Sequence, residues 1–137
     1  MEMEKLKLIP LLKRLRQLEQ KAKSLVLADP NLTLCQLRLL TCLQQGNKTA
    51  SELSRGLRIT KASVTGQVKD LQAMELLSLS PDPADKRSAI IQLTKMGKTK
   101  LAIALTGVDI LETHISAQLT VDAIAALNQF SLHTEDS

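Results

Sequence analysis

Two groups of side chains in this sequence are spaced to meet a polyanion. In the first, Ala62, Thr65, Gly66, Lys69 and Ala73 fall on the side of an amphipathic stretch opposite Val64, Val68 and Leu71, with Lys61 and Ser63 in its first turn. They are small, hydroxylic or cationic. Short side chains let a helix seat deeply in a DNA major groove, hydroxyls donate or accept at base edges, and lysines meet phosphates or guanine. An ordinary solvated helix face would have a similar make-up. In the second group, Asp82, Asp85, Lys86 and Arg87 crowd one end of "SPDPADKRSAIIQLT", residues 80–94. Pro81 and Pro83 fix φ and withhold backbone donors, so residues 80–84 are expected to leave the sheet as a projecting turn.

Other chemistry is sparse. The sequence has no glycine-rich phosphate loop, nucleophile elbow or paired carboxylates with a positioning partner, so an enzyme is not expected. His114 and His133 lack the neighbouring ligands of a metal site, and no cofactor is expected. Cys35 and Cys42 stand seven residues apart. On one helix that is a rise of about 10 Å, whereas a disulfide needs Cα atoms within about 7 Å. They are expected to be buried structural thiols.

The elements that position the two groups follow from periodicity. Leu8, Leu11, Leu15, Leu18, Ala22 and Leu25 recur at spacings of three and four, an amphipathic helix with Pro10 in its first turn and "DPN" at residues 29–31 as its stop. Thr33 is an N-cap for a largely apolar helix over 34–45, closed by Gly46. "TASE" at 49–52 has the pattern of a reciprocal capping box. It opens a short helix ending near Leu57, and Thr60 caps the next, over 61–74. Two short helices joined by a brief turn make a helix-turn-helix. A two-stranded hairpin over 77–93 follows. Thr94 caps a long helix whose Leu101, Leu105, Val108, Leu111, Ile115 and Leu119 form a second seam, interrupted by Gly97 and Gly107, and Thr120 starts a last helix. The tail from His133 onward is expected to fray.

At 137 residues the chain is read as one domain, 1–137. Phe130 is its one aromatic, so the core must be aliphatic, which favours helix packing. No apolar run approaches the roughly 20 residues that span a bilayer, and the N-terminus has no signal-peptide pattern, so a cytoplasmic protein without membrane contact is expected. The formal net charge of +4 hides an asymmetry. Residues 1–100 carry 18 Lys and Arg against 9 Asp and Glu, whereas residues 101–137 carry five acids and no Lys or Arg. A cationic face built by the first hundred residues suits a polyanion partner, although it also serves solubility.

The run from Thr33 to Thr99 resembles the MarR family of bacterial transcriptional regulators. Its segments are "LTLCQLRLLTCL", "TASELSRGLRITKASVTGQVKDLQ" and "DPADKRSAIIQLTKMG". The resemblance implies a mainly α winged helix-turn-helix, with a DNA-binding lobe at about 33–94, a wing at 77–93, and dimerisation helices at about 1–28 and 95–137. It implies a homodimer, paired through Leu8, Leu11, Leu15, Leu18, Val108, Leu111, Ile115 and Leu119, on a pseudo-palindromic stretch of double-stranded DNA. Arg87 matches the wing arginine that enters the minor groove, where a guanidinium sheds its hydration more readily than an ammonium. Asp85 is expected to orient that guanidinium by a charge-assisted hydrogen bond. Gly66, Glu75 and Leu79 or Ser80 depart from the family's usual Arg, Gly and basic residue, which implies modest DNA affinity. A protein-interaction module, heterodimerising with another regulator, is the alternative. Relatives that sense oxidants carry their thiol in the first helix, which here has none. Many relatives bind a small phenolic or anionic effector in a crevice beside the dimer helices; with one aromatic, weak or no response to salicylate-like compounds is expected.

Overall fold

The computed structural model describes residues 4–27 and 31–131. It contains helices α1 (Leu8–Leu25), α2 (Leu34–Gln44), α3 (Ala50–Leu57), α4 (Lys61–Ala73), α5 (Lys95–Ser116) and α6 (Val121–Gln129). The strands are β1 (Lys48–Thr49), β2 (Leu77–Asp82) and β3 (Asp85–Leu93). The result is mainly helical with a small antiparallel sheet, a winged helix-turn-helix.

Threonine opens five of the six helices. Thr33, Thr49, Thr60, Thr94 and Thr120 each have extended backbone and accept an N–H from the third helical residue. That satisfies one of the orphan donors of a helix start. At α2 and α3 the bond is reciprocated, by Gln36 at α2 and Glu52 at α3, in capping boxes. The threonine caps were legible from sequence; the reciprocal bond from Gln36 was not foreseen. Thr94 also ties elements together, because its hydroxyl donates to the Glu75 carbonyl at 2.7 Å while accepting from Gly97 N–H at 2.9 Å.

The core lies beneath the two short helices. Leu39, Leu40, Leu53, Val64, Leu71, Leu76 and Leu101 are fully buried, drawn from α2, α3, α4, the α4–β2 turn and α5. Helices α2 to α5 each contribute buried aliphatic side chains, so the aliphatic composition is enough to close the core. Glu75 ends the turn after α4 with φ 63° and Arg58 ends α3 with φ 56°. Both occupy the left-handed region without being glycine, a conformation that costs a non-glycine residue about 1–2 kcal/mol.

The sheet differs from the expected hairpin in two respects. It has three strands in the order β1-β3-β2, since Lys48 and Thr49 pair with Ile91 and Ile90. A two-residue strand has no alternation to read, so only its partner reveals it. The turn is also shorter than expected: Ser80 and Pro81 remain in the ladder opposite Ile90 and Ala89, with a register shift between Pro81 and Asp82. Pro81 is tolerated because β2 is an edge strand, where a missing N–H faces outward.

Helix α1 stands apart energetically. It contains no buried residue, and Leu8, Leu12 and Leu15 are 62%, 53% and 48% exposed. It reaches α5 near its C-terminus, where a Cβ on Gly107 would stand 3.1 Å from the Leu25 carbonyl oxygen. Of the stop expected at 29–31, Asp29 and Pro30 lie outside the described residues, as does His133. Asn31 has φ 65°.

Candidate nucleic-acid interface

The helix-turn-helix fixes what α4 can present. Thr60 Oγ1 accepts from Ser63 N–H at 3.0 Å, setting the helix start. Val64, Val68 and Leu71 then lock one side into the core. Lys61, Ala62, Thr65, Gly66 and Lys69 are left exposed, with Ser63 half-buried. Thr65 Oγ1 donates to the Lys61 carbonyl at 2.9 Å, so its hydroxyl hydrogen is engaged while its oxygen and methyl face outward.

The hairpin of β2 and β3 rises beside α4, and between them lies a cleft of about 600 Å³. Lys61, Thr65, Lys69 and Gln72 line it from α4, and Leu79, Asp85, Arg87 and Ser88 from the wing, with Ser51 of α3 at its side. Five of the sequence-predicted residues, Lys61, Thr65, Lys69, Asp85 and Arg87, therefore converge on one concave surface. Ala62, Ser63, Gly66 and Lys86 are not part of its lining. Gln72 was missed from sequence, although its place three residues after Lys69 puts it on the same helical face. Ser51 and Ser88 carried no signal, because only the tertiary fold brings them there.

Asp85 plays a different part from the one expected. Its Oδ1 accepts the backbone N–H of Arg87 at 2.9 Å, and Asp82 Oδ1 accepts the N–H of Ala84 at the same distance. These side chains fold the hairpin tip on itself, as Asp does in turns. The Asp85 carboxylate forms no ion pair with the Arg87 guanidinium among the described residues. The guanidinium is thus exposed and held by its strand rather than by a charge partner.

The profile of the MarR family matches residues 32–89, from the entry to α2 through most of the wing. Over 74 residues the chain is 39% identical to the HTH-type transcriptional repressor NicR of Pseudomonas putida, covering 53% of this chain and 47% of that protein. Over this lobe the chain is similar to the MarR family. The aligned segment spans about half the length of that relative. Beyond the lobe, the chain superimposes on mutant MarR from E. coli in complex with operator DNA, with a TM-score of 0.72, 25% identity and coverage of 88% of this chain and 89% of that one. It also shares its fold with BpsR of Bordetella bronchiseptica, whose DNA binding is regulated by 6-hydroxynicotinic acid. That match has a TM-score of 0.75 at 24% identity, covering 88% and 87% of the two chains.

The expected dimerisation residues are divided in their surroundings. Leu8, Leu15, Leu18 and Leu119 are exposed and Leu11 is half-buried, whereas Leu111 is buried within the protomer and Val108 and Ile115 pack against the same core. Leu18, Ala22, Leu34, Val108, Leu111 and Ile115 line an apolar groove of about 250 Å³ between α1, α2 and α5. Cys35 and Cys42 are free thiols, half-buried rather than fully buried as expected. No cluster of three or more potential metal ligands occurs among the described residues. None of the described helices is long and apolar enough to cross a membrane.

Proposed function

We propose that this chain is a cytoplasmic, non-enzymatic transcriptional regulator, a repressor, acting as a homodimer on a pseudo-palindromic DNA operator. One domain, 1–137, divides the work, with a DNA-binding lobe at about 33–94 and dimerisation helices on either side. The observation that carries the reading is the cleft where Lys61 and Lys69 of α4 face Arg87 of the wing, and where the one acid, Asp85, is occupied by a backbone amide. Such a surface accepts a duplex in two ways. The short residues Ala62, Ser63, Thr65 and Gly66 let α4 enter the major groove with Lys61 and Lys69 at phosphates, and Arg87 reaches the adjoining minor groove, supported by Lys86. In a twofold dimer the two α4 helices address half-sites about 34–36 Å apart.

Pairing is assigned to Leu8, Leu11, Leu15 and Leu18 with Val108, Leu111, Ile115 and Leu119. The exposed stripe of α1 supports it, since a leucine row left in water gains about 25 cal/mol per Å² once covered. A second reading, a heterodimerising regulator with weakened DNA binding, is favoured by Gly66, which brings no side chain to the groove. The likeness to BpsR, whose DNA binding is regulated by 6-hydroxynicotinic acid, supports a small-molecule effector, in the groove beside α1 and α5. At about 250 Å³ and without an aromatic wall, it suits salicylate-like compounds poorly, being below the roughly 300–1,000 Å³ usual for ligand pockets.

The two readings separate in one titration. Duplex selected from random sequence should bind the parent chain and lose about 1–3 kcal/mol of affinity with Arg87→Ala, with circular dichroism unchanged. Equal affinity for parent and variant would remove the wing from recognition.

A further inference from the structure

A glycine inside a helix weakens it, because it gives up the most backbone freedom on folding. It is justified where something comes too close to the backbone for a Cβ. Two helical glycines of this chain meet that condition within the protomer. A Cβ on Gly97 would overlap the Leu76 carbonyl oxygen, and one on Gly107 would crowd Leu25 and Val26. Gly66 does not. Nothing lies within 4 Å of where its Cβ would stand, and its φ is not positive, a property confined to Gly46 among the described glycines. It is the sixth of thirteen residues in α4, with helix on both sides. Gly56 also opens onto free space, but it lies in the last turn of α3 beside left-handed Arg58, where a glycine costs the helix little.

We infer that Gly66 marks the point at which the α4 backbone touches the floor of a DNA major groove, and that its missing Cβ sets both depth of entry and operator preference. The inference rests on the DNA-binding reading above. Gly66 follows Thr65 and precedes Lys69 by three residues, and both of these line the cleft. Ala62 is exposed one turn earlier. Ala62 and Gly66 therefore project nothing longer than a methyl at the middle of the exposed face, with Thr65 and Asp70 beside them and Lys61 and Lys69 toward the two ends. A low centre between two cations fits a helix whose backbone approaches base edges while its lysines reach phosphates on either side. B-form duplex is the matching partner, since the major groove of A-form RNA is too narrow to be read this way.

The test compares Gly66→Ala with Gly56→Ala in thermal unfolding and in titration of a selected duplex at fixed salt. Both variants should melt at or above the parent temperature. Gly66→Ala should nevertheless bind about tenfold more weakly, while Gly56→Ala stays within about twofold of the parent, as surface changes do. Gly66→Ala that melts higher and binds as tightly as the parent overturns the inference, as does an equal loss in Gly56→Ala. A parent chain that binds no selected duplex refutes the DNA-binding reading, and the inference falls with it.

Discussion

At the scale of single residues, side chains here hold backbone in place as often as they face a partner. Asp85 is the example: its type and spacing suggest a salt bridge to Arg87, yet the tight turn delivers the Arg87 amide to it first. Sequence shows which groups can bond, and turn geometry decides which do. The threonine caps were legible because cap chemistry is local, spanning three residues. Glu52 shows the energetic side. The hydrogen bonds it receives at Thr49, backbone first and hydroxyl second, hold its carboxyl below the ordinary 4.5, against an opposing effect of desolvation. A carboxyl whose folded value is depressed contributes stability that is present above its unfolded value and lost as pH falls through the folded one. Acid unfolding of the parent should therefore show a contribution below pH 4.5 that Glu52→Gln lacks. Superimposable pH profiles for the two proteins would show that this cap contributes nothing through charge.

At the scale of elements, α2, α3 and α4 were readable to within a residue or two, since each has a threonine cap, whereas α1 and α5 end a few residues before the expected stop and the end of the expected seam. The sheet was less so. β1 is two residues whose strand character exists only through β3, and Pro81 argues against a strand until β2 is known to be an edge. The contact between α5 and the turn after α4 was also hidden, because Gly97 reads from sequence as a weak spot in a helix. In the structure it is where α5 presses on Leu76. Gly97→Ala should accordingly destabilise the fold by about 1–3 kcal/mol, the usual cost of overpacking. Helix propensity alone would make the same change stabilising by up to about 1 kcal/mol, so the sign of the shift in a denaturant melt distinguishes them. The cleft itself depends on this contact, which sets the wing relative to α4 through Thr94 and Glu75.

At the scale of the whole molecule, charge and exposed leucine are arranged in different places. The cations gather in the first hundred residues and acids alone occupy the rest, while α1 leaves a leucine stripe uncovered. In the proposed twofold pair, two such protomers would cover that stripe and present two α4 helices to one duplex. Leu15→Glu, at an exposed position that carries no part of the protomer core, should yield a folded monomer in sedimentation. It should bind operator far more weakly, because the second half-site no longer benefits from tethering. A Leu15→Glu protein that stays dimeric would place the subunit contact elsewhere. The most direct measurement of the central claim, that α4 and the wing together grip one duplex, is operator affinity across about 50–200 mM salt. The predicted result is a steep, linear fall of log affinity with log salt, with Lys69→Ala and Arg87→Ala each flattening the slope by about one. Affinity indifferent to salt, or either variant keeping the parent slope, would contradict it.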